Sequence, residues 1–199
     1  MLSTNQLIKI SDTLQPADIV LVADNTVLSR TIRRLEGGLP VSHAVIAGGN
    51  GTIWTTSATQ RTTWKPPFKQ HLYGAMHEFD FFYEKTKVVI MRMPGITPQQ
   101  QDGILKICQA MTGDVYPIGK LIKAVWGGLV NLNTTCVSCG DYDLNKPGKI
   151  CTEGVADAYL YGAGVDLNPK AHNTNPSGYD LIELYYSGVL KEVYDSEYD

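Results

Sequence analysis

Four residues, Gly48-Gly49-Asn50-Gly51, constrain this chain most. They separate two short β-prone runs, His43–Ala47 and Thr52–Thr56. Glycine and asparagine tolerate the positive φ that a tight hairpin demands, so the two runs are expected to pair antiparallel. Residues 18–23, after Pro16, read as a buried strand, and Thr86 to Met93 as another that Pro94-Gly95 ends. Val27, Leu28, Ile32 and Leu35 recur at helical steps, predicting a helix over 24–36 stopped by Gly37-Gly38. Thr97-Pro98 supplies an N-cap and first helical residue for a helix carrying Ile104, Leu105, Ile107, Cys108 and Met111, ending before Gly113. Residues 118–129 and 180–186 are expected to be helical, and the acidic tail from Tyr194 to fray. The order strand, helix, hairpin, strand, helix, helix predicts an α+β fold: a mainly antiparallel sheet packed against helices. One domain over 1–199 is expected, with loop insertions near 59–75 and 131–149.

The chain has 199 residues, 43% of them hydrophobic, which suffices for a core without disulfide or metal staples. A net charge of −3 speaks against a nucleic-acid partner. Arg30, Arg33 and Arg34 are the one small basic cluster, read first as a solvated helix face. No apolar run approaches the roughly 20 residues of a membrane span. Residues 1–6 lack the pattern of a secretory signal, so a cytoplasmic setting is expected. Four cysteines, Cys108, Cys136, Cys139 and Cys151, do not form a disulfide framework. Cys136-Val137-Ser138-Cys139 is half of a zinc site without a second half, so no metal or other cofactor is expected.

Cys151 carries the chemistry. Val155, Ala158 and Gly162 follow it at helical steps, so a helix opens on the thiol. Unpaired N–H groups and the positive dipole end favour a thiolate there. A thiolate nucleophile needs a base, and the base needs an orienting partner. His43, first in its strand, is the candidate base; it would face the Cys151 helix if that helix packs on the sheet face shared by His43, Val45 and Ala47. With an odd hairpin loop Val45 pairs with Thr55, and Thr55 and Ser57 share the His43 face; with an even loop, Trp54 and Thr56 do. A threonine hydroxyl can accept the imidazole N–H, though it stabilises an imidazolium less than a carboxylate would. His71, His77 and His172 lie in surface-type stretches.

Three stretches carry a resemblance. Pro16-Ala17-Asp18-Ile19-Val20-Leu21 is similar to a Gly-Asp-Ile-Leu strand, and Val41-Ser42-His43-Ala44-Val45-Ile46 to a Ser-His-Val-Ala-Ile strand. Cys151-Thr152-Glu153-Gly154-Val155, running on to Ala158-Tyr159 and Gly164-Val165-Asp166-Leu167, is similar to Cys-Ser-Glu-Leu-Val with Ala-Tyr and Gly-Ile-x-Leu. Weaker matches are Thr112 to Pro117 and Asn175 to Leu190. In this order they resemble the circularly permuted NlpC-type, papain-like cysteine amidases, the YiiX-like group. The resemblance implies a papain-like fold in which Cys151 attacks, His43 is the base, Thr55 is the orienting residue and Tyr116 lines the oxyanion pocket. Asp18 and Glu153 match family positions and are read as structural.

The expected function is a cysteine hydrolase cleaving an amide bond in a peptide, isopeptide or peptidoglycan stem peptide. Lipid or ester hydrolysis and acyl transfer on the same fold are the rival chemistry. A non-catalytic binding or effector protein that kept the fold is the other alternative. The family also makes a virion- or phage-associated setting an expectation.

Overall fold

The computed structural model describes residues 1–35, 38–49, 52–55, 82, 85–112, 151–167 and 188–198. In chain order these form α1 (Thr4–Thr13), β1 (Ile19–Ala23), α2 (Val27–Leu35), β2 (His43–Gly49), β3 (Thr52–Trp54), β4 (Lys87–Arg92), α3 (Pro98–Ala110), α4 (Cys151–Ala163) and β5 (Lys191–Asp195). The expected insertions at 59–75 and 131–149 lie outside the described residues, as do the expected helices at 118–129 and 180–186.

The strands make one antiparallel sheet in the order β3-β2-β1-β4-β5. This is the expected mixed α+β architecture. β1 is central, and all five of its residues are buried because both sheet faces are covered. On one face Ile19, Leu21, Ala44, Ile46, Trp54, Val89 and Met91 join Ile104 and Cys108 of α3 and Val155, Ala158 and Tyr159 of α4. Ile32 of α2 packs against this cluster. On the other face Val20, Val22, Val45, Ala47, Ile53, Val88 and Ile90 join Leu7 and Ile10 of α1, with Phe82 and Tyr194.

The β2–β3 register pairs Ile46 with Trp54, with an irregularity between Ala47 and Gly49 at the glycine run. Continued by one residue, it sets Thr55 opposite Val45, which is the odd-loop alternative. Thr97 caps α3 as expected, in a capping box with Gln100. Asp18 is structural: its buried carboxylate takes two hydrogen bonds from Arg92, from Nε at 2.8 Å and from the guanidinium terminus at 2.7 Å, and one from Gln15 N.

Two elements depart from the sequence expectation. Residues 4–13 form α1, started by a Ser3–Gln6 capping box. The tail does not fray between Tyr194 and Glu197. It continues β5 along β4, where Ser196 N donates to Val88 O at 2.9 Å and Val88 N to Ser196 Oγ at 3.0 Å. Lys87 pairs there with Asp195 and, at 2.6 Å, with Glu197. A part-buried lysine held by two carboxylates ties the acidic tail to the sheet.

Candidate active site

β2 starts under tight control. Ser42 N donates to Val22 O at 2.8 Å, and Ser42 Oγ lies 2.6 Å from Ser29 Oγ on α2. Ser29 Oγ also accepts from Asp24 N at 3.2 Å. Thr26 caps α2, its hydroxyl accepting from Ser29 N at 3.1 Å and donating to Asp24 at 2.6 Å. This network joins the end of β1, the start of α2 and the residue before His43. The next residue, His43, stands opposite Val22 in the sheet.

His43 Nε2 lies 2.8 Å from Thr55 Oγ1. The contact follows from strand alternation, since Thr55 follows Trp54 and so shares the face of Ile53, while His43 shares the face of Val45. Burial is the main force on the imidazole and pushes its pKa down to about 4. The Lys85 charge pushes the same way, and Asp24 opposes it. Lys85 Nζ is itself paired with Asp24, at 3.3 Å. His43 is therefore neutral near pH 7, able to accept a proton.

Cys151 is the first residue of α4 and is buried. Thr152 to Tyr159 are buried as well, so this part of α4 is enclosed on all sides. Its Val155, Ala158 and Tyr159 pack on the face of Ala44 and Ile46. That corrects the expected route between base and nucleophile. The body of α4 lies on the sheet face opposite the one His43 shares with Val45 and Ala47, so the two residues do not face each other across a common sheet surface. Their elements do share an anchor. The Tyr159 hydroxyl donates to Ala17 O, and Ala17 N donates to Ala47 O at 2.8 Å.

Cys108, like Cys151 outside any disulfide, is buried in the core, and burial pushes its thiol pKa far up. Glu153 is buried in the first turn of α4. Tyr116, Cys136, Cys139, His71, His77 and His172 lie outside the described residues. Among the described residues no three His, Cys, Asp or Glu side chains are grouped to hold a metal ion. Sequence reasoning missed Ser42, Ser29, Asp24 and Lys85. The Asp24-Asn25-Thr26 capping pattern was a readable signal for the helix start. Lys85 gave none, because its partner is 61 residues away.

No family model matches the chain, and no curated protein matches it. Among solved structures it is similar to the crystal structure of the metalloprotein YiiX from Escherichia coli O157:H7. The match has a TM-score of 0.57 and 14% identity and covers 92% of this chain and 97% of that one. It is a likeness of fold, carried by nearly the whole length of both chains.

Proposed function

We propose that the chain is a cysteine hydrolase of permuted papain-like fold that cleaves an amide bond, with Cys151 as nucleophile, His43 as base and Thr55 as orienting residue. The observation that carries this reading is the 2.8 Å His43–Thr55 contact on an imidazole held neutral. With Nε2–H donating to the threonine hydroxyl, the Nδ1 lone pair is left to take a proton from the thiol.

The shared anchor supports a meeting of base and nucleophile at the strand's beginning. From Ala47 back to His43 is four strand residues, about 13 Å. From Tyr159 back to Cys151 is eight helical residues, about 12 Å. The reading requires α4 to run in the direction of β2, so that the two first residues reach the same end of the sheet and the ring meets the thiol around the strand terminus.

In the reaction, the Cys151 proton passes to His43 and the thiolate attacks the amide carbon. A C–S bond forms as the C–N bond breaks. The amine leaves with the proton from His43, and water activated by the same imidazole then hydrolyses the thioester. The Cys151 N–H and Tyr116 are the proposed oxyanion donors. The substrate is a small peptide or a peptidoglycan stem peptide.

The test is to trap an acyl adduct with a thiol-directed amide or peptide probe and map it by mass spectrometry. We expect it on Cys151, absent in Cys151→Ala and at least about 100-fold slower in His43→Ala. An adduct mapping elsewhere, or unchanged by the His43 substitution, overturns the assignment. Stem peptides should be turned over in preference to acyl esters and phospholipids. Turnover of only the latter set would move the substrate and leave the nucleophile.

A further inference from the structure

α2 presents two unlike faces. Inward, Ser29 bonds Ser42 and Ile32 packs on the core. Outward, Val27 is 72% exposed, while Leu28, at 37%, lies on the flank of this face. Val27, Arg30 and Arg34 stand at i, i+3 and i+7, one stripe of the helix, with Arg33 on its flank. Arg30 and Arg34 are exposed, and none of the three arginines has an ion-pair partner among the described residues. Arg33 Nε is buried without a hydrogen-bond partner.

Such an arrangement stabilises the fold little. Like charges at i, i+4 (Arg30 and Arg34) repel. Arg33 and Arg34 gain from the helix C-terminus, but Arg30, in the middle, does not. The chain as a whole carries a net charge of −3, so three arginines on one short helix stand against an acidic remainder.

We propose that the outward face of α2 docks the protein on an anionic phospholipid bilayer. The guanidiniums meet lipid phosphates, and Val27 and Leu28 enter the boundary between headgroups and acyl chains. The juxtaposition selects this occupant. A basic stripe alone suits any polyanion, whereas a stripe beside exposed aliphatic side chains suits a surface that is anionic outside and apolar just beneath. Because Ser29 anchors the helix to Ser42, docking brings the sheet end that bears His43 close to the membrane. The proposal does not depend on the chemistry assigned to Cys151.

The test is flotation of the intact protein with vesicles of phosphatidylcholine alone, or of phosphatidylcholine mixed with phosphatidylglycerol. Each exposed arginine near an anionic surface is worth about fivefold in partitioning, so Arg30 and Arg34 together give roughly 25-fold preference for the anionic vesicles. Added salt should erode it. Arg30→Gln with Arg34→Gln should lose roughly 25-fold, and Val27→Ser a smaller factor, with an unchanged thermal midpoint in each case. Equal partitioning to both vesicles, or anionic binding that survives the double substitution, overturns the proposal. So does retention of the protein by a soluble acidic peptide or by inorganic phosphate with none by vesicles, because the stripe would then be a site for soluble anions.

Discussion

The hydroxyl of Thr55 stands 2.8 Å from His43 Nε2, with the threonine buried and the imidazole part-buried at the first position of β2. A neutral acceptor leaves the imidazole's charge to be set by its other surroundings. Thr55→Val keeps the shape and removes the acceptor. We expect a stability loss of about 1 kcal/mol and a fall in kcat/KM of roughly 10- to 100-fold, as the imidazole loses its preferred tautomer. Thr55→Ser should restore most of both. Parallel denaturant titrations and amide-cleavage kinetics check this, and a fully active Thr55→Val variant removes Thr55 from the site.

The neutral state of His43 makes two pH statements. With a folded pKa of about 4 against an ordinary 6.5, the unfolded chain binds more protons between those values. The stabilising effect of His43 is therefore complete above about pH 6.5 and is lost as pH falls toward 4, at up to about 1.4 kcal/mol per pH unit. His43→Gln should flatten that dependence, read as urea midpoints from pH 7 to pH 4. The acid limb of kcat/KM should likewise fall near pH 4 to 5, as an apparent value of the coupled pair. An inflection at 6.5 contradicts an imidazole held neutral. Lys85→Met should raise the His43 pKa, read from its ring proton shifts, and Asp24→Asn should lower it further, because Lys85 repels the imidazolium and Asp24 attracts it.

Much of this geometry was legible in the chain. The glycine run predicted the hairpin, and side-chain alternation predicted that Thr55 could share the face of His43. The sequence left the loop parity open because the irregularity between Ala47 and Gly49 is a backbone event with no side-chain signature. It was also silent on which sheet face α4 would cover. Both faces of β1 and β2 are apolar, so either could take a helix, and the choice rests on tertiary packing. α1 escaped notice because only Leu7 and Ile10 are buried along its length. β5 escaped because its stability comes from Lys87, more than 100 residues earlier.

The two described cysteines should separate cleanly. Cys108 is enclosed by core side chains and its thiol is held protonated by burial. Cys151 heads a helix, beside backbone N–H groups that favour a thiolate. Iodoacetamide at neutral pH should label Cys151 in the native protein and Cys108 only after unfolding. His43→Ala should slow the Cys151 reaction at pH 6 to 7 if His43 is the proposed base for the thiol proton. Peptide mapping of a timed reaction decides it: labelling of Cys108 first, or a rate indifferent to His43, is the contrary result.

Where α3 crosses α4, two glycines meet. A Cβ on Gly103 would collide with the Gly162 carbonyl, and one on Gly162 with the backbone of Ile104. Neither helix has positive φ at these residues, so the need for glycine is one of approach and not of conformation. The obstacles are backbone atoms, which cannot swing aside as a side-chain tip can. In an exposed helix, Gly→Ala would stabilise by up to about 1 kcal/mol. Here Gly103→Ala and Gly162→Ala should each destabilise by about 2–4 kcal/mol, since α4 must move off α3 to admit a methyl group. The same displacement should loosen the other end of α4 and slow labelling of Cys151. Chemical denaturation with the labelling assay at a temperature where both variants stay folded tests the two effects together. A Gly162→Ala protein as stable as the parent would mean that the helices do not cross at backbone contact.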